Sequence, residues 1–145
     1  MKAIEIGKGR VIGEGEDLAI LTIGHIGNYA VEACKQLGKK GIYPAHYDMR
    51  FVKPIDEELL HKIFSKFNKI ITVEDGCIMG GMGSAVLEFM ADNGYYAEVK
   101  RLGIPDKYIE QGSQLELHTE CGYHPEGIVN AVKELVGVKK GLMVG

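Results

Sequence analysis

The chain has 145 residues, 46% of them hydrophobic, enough for the core of one domain with little room for a second. Its formal charge of −3 gives no electrostatic reason to expect nucleic acid or an anionic membrane as partner. No apolar run is long enough to span a bilayer, and Met1-Lys2-Ala3-Ile4-Glu5-Ile6 lacks the apolar stretch of a signal peptide, so a cytoplasmic location is the expectation.

Taken in chain order, short apolar runs alternate with segments of helical period, the pattern of an α/β domain with a largely parallel sheet. Arg10-Val11-Ile12 suits a short edge strand. Leu18 to Ile23 is a near-continuous apolar run, as in a strand buried on both faces. Gly24 to Asn28 interrupts it, and Ala30, Ala33, Cys34 and Leu37 follow at helical spacing, with Gly38 as the expected stop. Ile42 to Asp48 is the next strand candidate, weakened by Pro44, which cannot donate to a sheet ladder. Asp56 is placed to cap a helix whose stripe is Leu59, Leu60, Ile63, Phe64 and Phe67. Ile70 to Val73 is another buried strand, followed by a glycine-rich loop and a helix carrying Val86, Phe89 and Met90. Ala97 to Leu102 reads as a further strand. The last helix has Pro125 near its start and Ile128, Val129, Val132, Leu135 and Val136 on its inner face.

The 3 cysteines and 5 histidines are scattered. Cys34, Cys77 and Cys121 form no C-x-x-C pair, and no two ligands have helix or loop spacing for a metal. No nucleophile–base pair is recognisable from spacing. Asp56-Glu57-Glu58 stand at a helix start, where the dipole favours acids.

Four segments remain as candidates. Glu74-Asp75-Gly76-Cys77-Ile78-Met79-Gly80-Gly81-Met82-Gly83-Ser84 links a strand end to a helix start, where free amides attract anions. Its spacing is neither a dinucleotide fingerprint nor a P-loop. The glycines serve either an anion or close helix–sheet and subunit packing, and Glu74 and Asp75 would repel a phosphate. A β-branched residue at Gly81 is expected to disrupt this turn. In the second segment, Arg50 and Lys53 either grip a phosphate or carboxylate, or Arg50 pairs with Glu74 while Lys53 stays solvated. Gly103 to Ser113 forms a long polar excursion, and Ser113 with Glu116 has capping-box spacing. Finally, His25 is a loop histidine with either an acid–base or a merely solvated role.

Five segments in this order resemble one family: Ile6-Gly7-Lys8-Gly9-Arg10, Arg50-Phe51-Val52-Lys53-Pro54-Ile55-Asp56, Thr72-Val73-Glu74-Asp75, Met79-Gly80-Gly81-Met82-Gly83-Ser84-Ala85-Val86, and Leu102-Gly103-Ile104-Pro105-Asp106 through Gly112-Ser113-Gln114. Together they are similar to the C-terminal domain of 1-deoxy-D-xylulose-5-phosphate synthases, in the transketolase superfamily, from about Ile4 to Val136. The Gly-Gly-x-Gly loop is widespread in that superfamily, whereas the Arg-Phe-Val-Lys-Pro and Ile-Pro-Asp pieces favour the synthases. Asp75 replaces a second glutamate, and His25 stands where threonine is expected, so His25 inherits no role.

The resemblance implies a three-layer αβα sandwich with a five-stranded, mostly parallel sheet and one antiparallel edge strand. Residues 1–136 form the domain and 137–145 a tail. The strands starting at Leu18 and Ile70 become neighbours whose following helices leave in opposite directions, a switch point of the kind where α/β sheets bind ligands. It implies an enzyme that condenses pyruvate with D-glyceraldehyde 3-phosphate, using thiamine diphosphate and Mg2+, as a homodimer. The family's Gly-Asp-Gly cofactor signature is absent from this chain, so the cofactor is expected in missing N-terminal and central domains and the chain alone is expected to be inactive. Arg50, Lys53, Glu74, Gly80, Gly81 and Gly83 make up a candidate anion or interdomain site. The competing readings are the C-terminal domain of a transketolase or of a 2-oxo acid dehydrogenase β subunit, and a stand-alone small-molecule or anion-binding module.

Overall fold

The structure, a computed structural model, describes residues 7–75, 81–104 and 124–137. Among the described residues, five strands and four helices follow one another as β1 (Arg10–Gly13), β2 (Ala19–Thr22), α1 (Gly27–Gly38), β3 (Ala45–Asp48), α2 (Glu57–Lys66), β4 (Lys69–Asp75), α3 (Gly81–Asp92), β5 (Glu98–Ile104) and α4 (His124–Leu135), with a 3₁₀ turn at Gly24–Ile26. The sheet order is β1-β3-β2-β4-β5. β1 runs antiparallel to β3, and the other pairs are parallel. This is the expected five-stranded sandwich.

The central strands explain the apolar runs. In β2 and the residue before it, Leu18 and Ile20 pack on one face, among Ala30, Ala33 and Leu37 of α1 and Ile128 and Val132 of α4. Ala19 and Leu21 pack on the other, among Leu60 and Ile63 of α2 and Met82 and Val86 of α3. A strand covered by helices on both sides has no polar face, which is why its sequence does not alternate. Large-to-small changes at such fully buried positions cost about 2–5 kcal/mol each.

Local chemistry sets the element ends. Asp56 caps α2 as expected, its Oδ1 accepting from the Leu59 amide at 3.0 Å, while its Oδ2 accepts from the Gly9 amide at 2.9 Å. One carboxylate therefore starts a helix and ties down the segment entering β1. Pro44 falls just before β3, which begins at Ala45, so the proline costs the ladder nothing. Gly38 is still helical, and the left-handed residue that turns the chain is Gly41, at φ 83°. The helix thus ends at Gly38 as expected, and the Ile42 amide closes that end on the Leu37 carbonyl.

α1 follows β2 onto one face of the sheet, and α3 follows β4 onto the other. Since β2 and β4 are paired neighbours, the two connections diverge and leave a crevice at the strand ends. The sheet order thus creates the switch point that the resemblance implies.

Candidate functional site

The crevice has a volume of about 260 Å3 and lies between Ile23, Gly24, His25 and Ile26 on one side and Glu74, Asp75, Gly81 and Met82 on the other, with Val52 also contributing. The two segments expected to meet there do meet. His25 lines the crevice and is exposed. Gly80 lies outside the described residues, as do Cys77, Cys121, residues 105–113 of the polar excursion and the Ser113–Glu116 capping box.

Glu74 decides the chemistry of this crevice. It is 3% exposed, near the end of β4, and its side chain faces the start of α3. Its Oε1 accepts from the Met82 amide at 3.0 Å and its Oε2 from the Gly83 amide at 2.9 Å. Those amides are among the unpaired donors that make a helix start attractive to anions. Here the protein's own carboxylate occupies them, with the dipole of α3 favouring the charge. A phosphate approaching this helix start meets a buried negative charge already in place.

The expected Arg50–Glu74 pair does not form. Among the described residues Glu74 is held by the two α3 amides, and Arg50 makes no ion pair with it. Arg50 instead sits in the left-handed region at φ 62°, with its amide donating to Asp48 Oδ1 at 3.0 Å. The physical reason is the strand order: β2 stands between β3 and β4, so Arg50, just past β3, and Glu74, on β4, do not share a strand boundary. Arg50→Ala, at a half-buried side chain with no ion pair among the described residues, and Lys53→Ala, at an exposed one, are therefore both expected to stay within about 1 kcal/mol of the unmodified chain. Urea unfolding of the two variants checks this, and a markedly larger loss for Arg50→Ala would restore a buried partner.

Lys53 is exposed and lines a groove of about 620 Å3 between the approach to α2 and the outer face of α3. Glu57, Glu88 and Asp92 share that groove with it. Three carboxylates against one ammonium disfavour phosphate there.

The glycines divide by geometry. A Cβ on Gly83 would lie 2.8 Å from Arg101 Cδ and 3.1 Å from Glu74 Oε2, so the bare backbone is what lets Glu74 reach its amides. A Cβ on Gly81 would meet only Glu74 Oε1, at 4.0 Å, and its φ lies outside the left-handed region. The expected sensitivity at Gly81 is thereby moved to Gly83. Gly83→Val is expected to cost about 2–3 kcal/mol through overpacking, and Gly81→Val less than about 1 kcal/mol, since valine is no worse a helix former than glycine. Melting temperatures of the two variants test the order, and a larger drop for Gly81→Val contradicts it.

One polar residue escaped the sequence reading. His46, on β3, is 2% exposed, and its Nε2 lies 2.8 Å from Thr22 Oγ1. Burial pushes its pKa down to about 4, against a smaller opposing pull from the Asp48 carboxylate. The signal was the strand period: His46 pairs with Ile20, which faces α1, so the imidazole points into the layer between sheet and helix. Burial pushes the Cys34 thiol up to about 11, which leaves it protonated and a poor nucleophile. Among the described residues no group of three or more His, Cys, Asp or Glu side chains could hold a metal, and no helix is long and apolar enough to cross a membrane.

Residues 7–128 match the family model for the transketolase C-terminal domain. The chain is 64% identical over 135 residues to a 1-deoxy-D-xylulose-5-phosphate synthase of Cytophaga hutchinsonii, covering 93% of this chain and 21% of that protein. It is 53% identical over 133 residues to the synthase of the same name from Bacteroides fragilis, covering 91% and 20%. Among solved structures, a chain described as split gene transketolase, inactive beta4 tetramer, superimposes with a TM-score of 0.78 at 32% identity, covering 94% of this chain and 45% of that one. The chain thus spans about a fifth of the curated relatives it matches.

Proposed function

The chain belongs to the transketolase C-terminal domain family, and from that premise we propose that it is the C-terminal domain of a 1-deoxy-D-xylulose-5-phosphate synthase, organising the enzyme without performing its chemistry. The complete enzyme joins pyruvate to D-glyceraldehyde 3-phosphate, releasing carbon dioxide and forming 1-deoxy-D-xylulose 5-phosphate, a precursor for isoprenoids and thiamine. The observation that carries this reading is the 64% identity sustained over 135 residues. Identity to the split-gene transketolase chain is 32%, which favours a synthase over a transketolase.

The reaction needs thiamine diphosphate and Mg2+, and the described residues do not fit that pair. A diphosphate calls for free helix-start amides or cations, and Mg2+ for grouped oxygen ligands. The α3 amides hold Glu74, and the groove beside α3 sets Glu57, Glu88 and Asp92 against Lys53. The cofactor belongs, on this reading, to N-terminal and central domains of the same enzyme, which are this domain's principal partners in a cytoplasmic homodimer. Residues 1–136 form the domain and 137–145 its tail. A stand-alone anion-binding module is disfavoured by the same internal carboxylate.

The test is an assay of the purified chain with pyruvate, D-glyceraldehyde 3-phosphate, thiamine diphosphate and Mg2+. No 1-deoxy-D-xylulose 5-phosphate is expected. Enzyme-dependent product would place catalytic groups in this chain and overturn the reading.

A further inference from the structure

A further cavity, of about 230 Å3, opens near the carboxyl ends of β2 and β3, lined among others by His46, Asp48, Arg10 and Asn28. It differs from the switch-point crevice in containing a histidine with one ring nitrogen paired and the other open to solvent. His46 is 2% exposed and spends Nε2 on Thr22 Oγ1. Its Nδ1 has no hydrogen-bond partner among the described residues and is not sealed from solvent, the buried side-chain atom without a partner there being Thr72 Oγ1. Gly27 also lines the cavity, and a Cβ there would lie 3.2 Å from Thr22 Oγ1 and 3.9 Å from the imidazole.

The charges in this cavity cancel. Arg10 Nε lies 3.5 Å from Asp48 Oδ2, and burial keeps His46 neutral at ordinary pH. A phosphate or carboxylate would be set against Asp48, and an amine against Arg10. What the site offers instead is hydrogen bonding of both senses: Arg10 donates, Asp48 accepts, Asn28 does both, and His46 Nδ1 does one or the other according to tautomer. Hydroxyl groups both donate and accept, so neighbouring hydroxyls satisfy a carboxylate and a guanidinium side by side. Ile12 and Val31, 38% and 39% exposed, add apolar surface beside these groups, against which the C–H face of such a molecule can lie.

We propose that this cavity is a binding site for a small uncharged polyol or monosaccharide, with one hydroxyl on His46 Nδ1 and a neighbouring pair shared between Asp48, Arg10 and Asn28. The site is independent of turnover, so it stands or falls separately from the assigned reaction. The experiment is an NMR titration of the histidine-labelled chain with glycerol, erythritol, xylitol and glucose, with inorganic phosphate as the anionic control. The expected result is a saturable shift of the His46 ring signals, absent at the exposed His25 and His61, with at least one of the four polyols. Asn28→Ala, at an exposed position in the first turn of α1, is expected to keep the fold and to weaken that binding at least fivefold. Shifts that are linear in concentration and equal at all three histidines would mark a solvent effect and overturn the proposal. So would saturation by phosphate and by no polyol. If the His46 signals respond to no polyol but move when the preceding domains are joined to the chain, the cavity receives a side chain from those domains and the proposal fails.

Discussion

Glu74→Ala is expected to destabilise the chain by about 2–6 kcal/mol, because it orphans two buried helix-start donors at about 1–3 kcal/mol each. The Met82 and Gly83 amides would lose their acceptor, and α3 would lose the charge that opposes its dipole. Glu74→Gln keeps one good acceptor and much of the volume, so its loss should fall between those of the alanine variant and no change. Chemical denaturation of the three proteins measures the series. A loss below about 1 kcal/mol for Glu74→Ala would mean that the α3 start is satisfied without Glu74. Phosphate gives a second readout: removing the internal carboxylate should make the chain more sensitive to phosphate, as a ligand binding only the native state raises its stability.

The second large effect is a pH dependence centred on His46. Its folded pKa is lowered to about 4 by burial, with Asp48 opposing, whereas an unfolded histidine titrates near 6.5. Between those values the unfolded chain binds the proton and the folded chain does not, so stability falls as pH is lowered. The contribution is intact above about pH 6.5 and lost progressively down to about pH 4, amounting to on the order of 3 kcal/mol. Carboxylates add their own slope at the acid end, so the informative quantity is a difference. His46→Gln removes the titration, and its stability should decline less steeply than that of the unmodified chain across this window. Parallel pH profiles of the two proteins would show no His46 contribution.

Much of the architecture was legible because it rests on patterns only a few residues long. Leu18 to Ile23 and Ile70 to Val73 have no polar face, and strands covered on both sides need none. Asp56 at a helix start is a local signal, and the cap forms. The crevice followed from the sheet order that the family resemblance implied. The site chemistry was less legible, because it depends on distances that no local pattern carries. Arg50 and Glu74 both follow or end strands, which made a pair plausible, yet β2 intervenes between those strands. Glu74 reaches instead to amides eight and nine residues along its own chain. Gly81 and Gly83 look alike in the sequence, and the close approach of Arg101 from β5 and of the Glu74 carboxylate to Gly83 separates them. His46 was one scattered histidine among 5 until the register placed it beside Thr22, the residue paired with Asp48.

The organising role can be measured in a chimaera in which this chain replaces the matching C-terminal segment of the Cytophaga hutchinsonii synthase, to which it is 64% identical over 135 residues. The quantity to determine is kcat/KM for pyruvate with D-glyceraldehyde 3-phosphate, at saturating thiamine diphosphate and Mg2+. A domain that organises the enzyme without entering its chemistry should leave kcat/KM within about tenfold of the parent, a difference of about 1.4 kcal/mol in barrier. A chimaera that is folded and has the parent's oligomeric state, yet loses turnover by several orders of magnitude, would contradict the assignment.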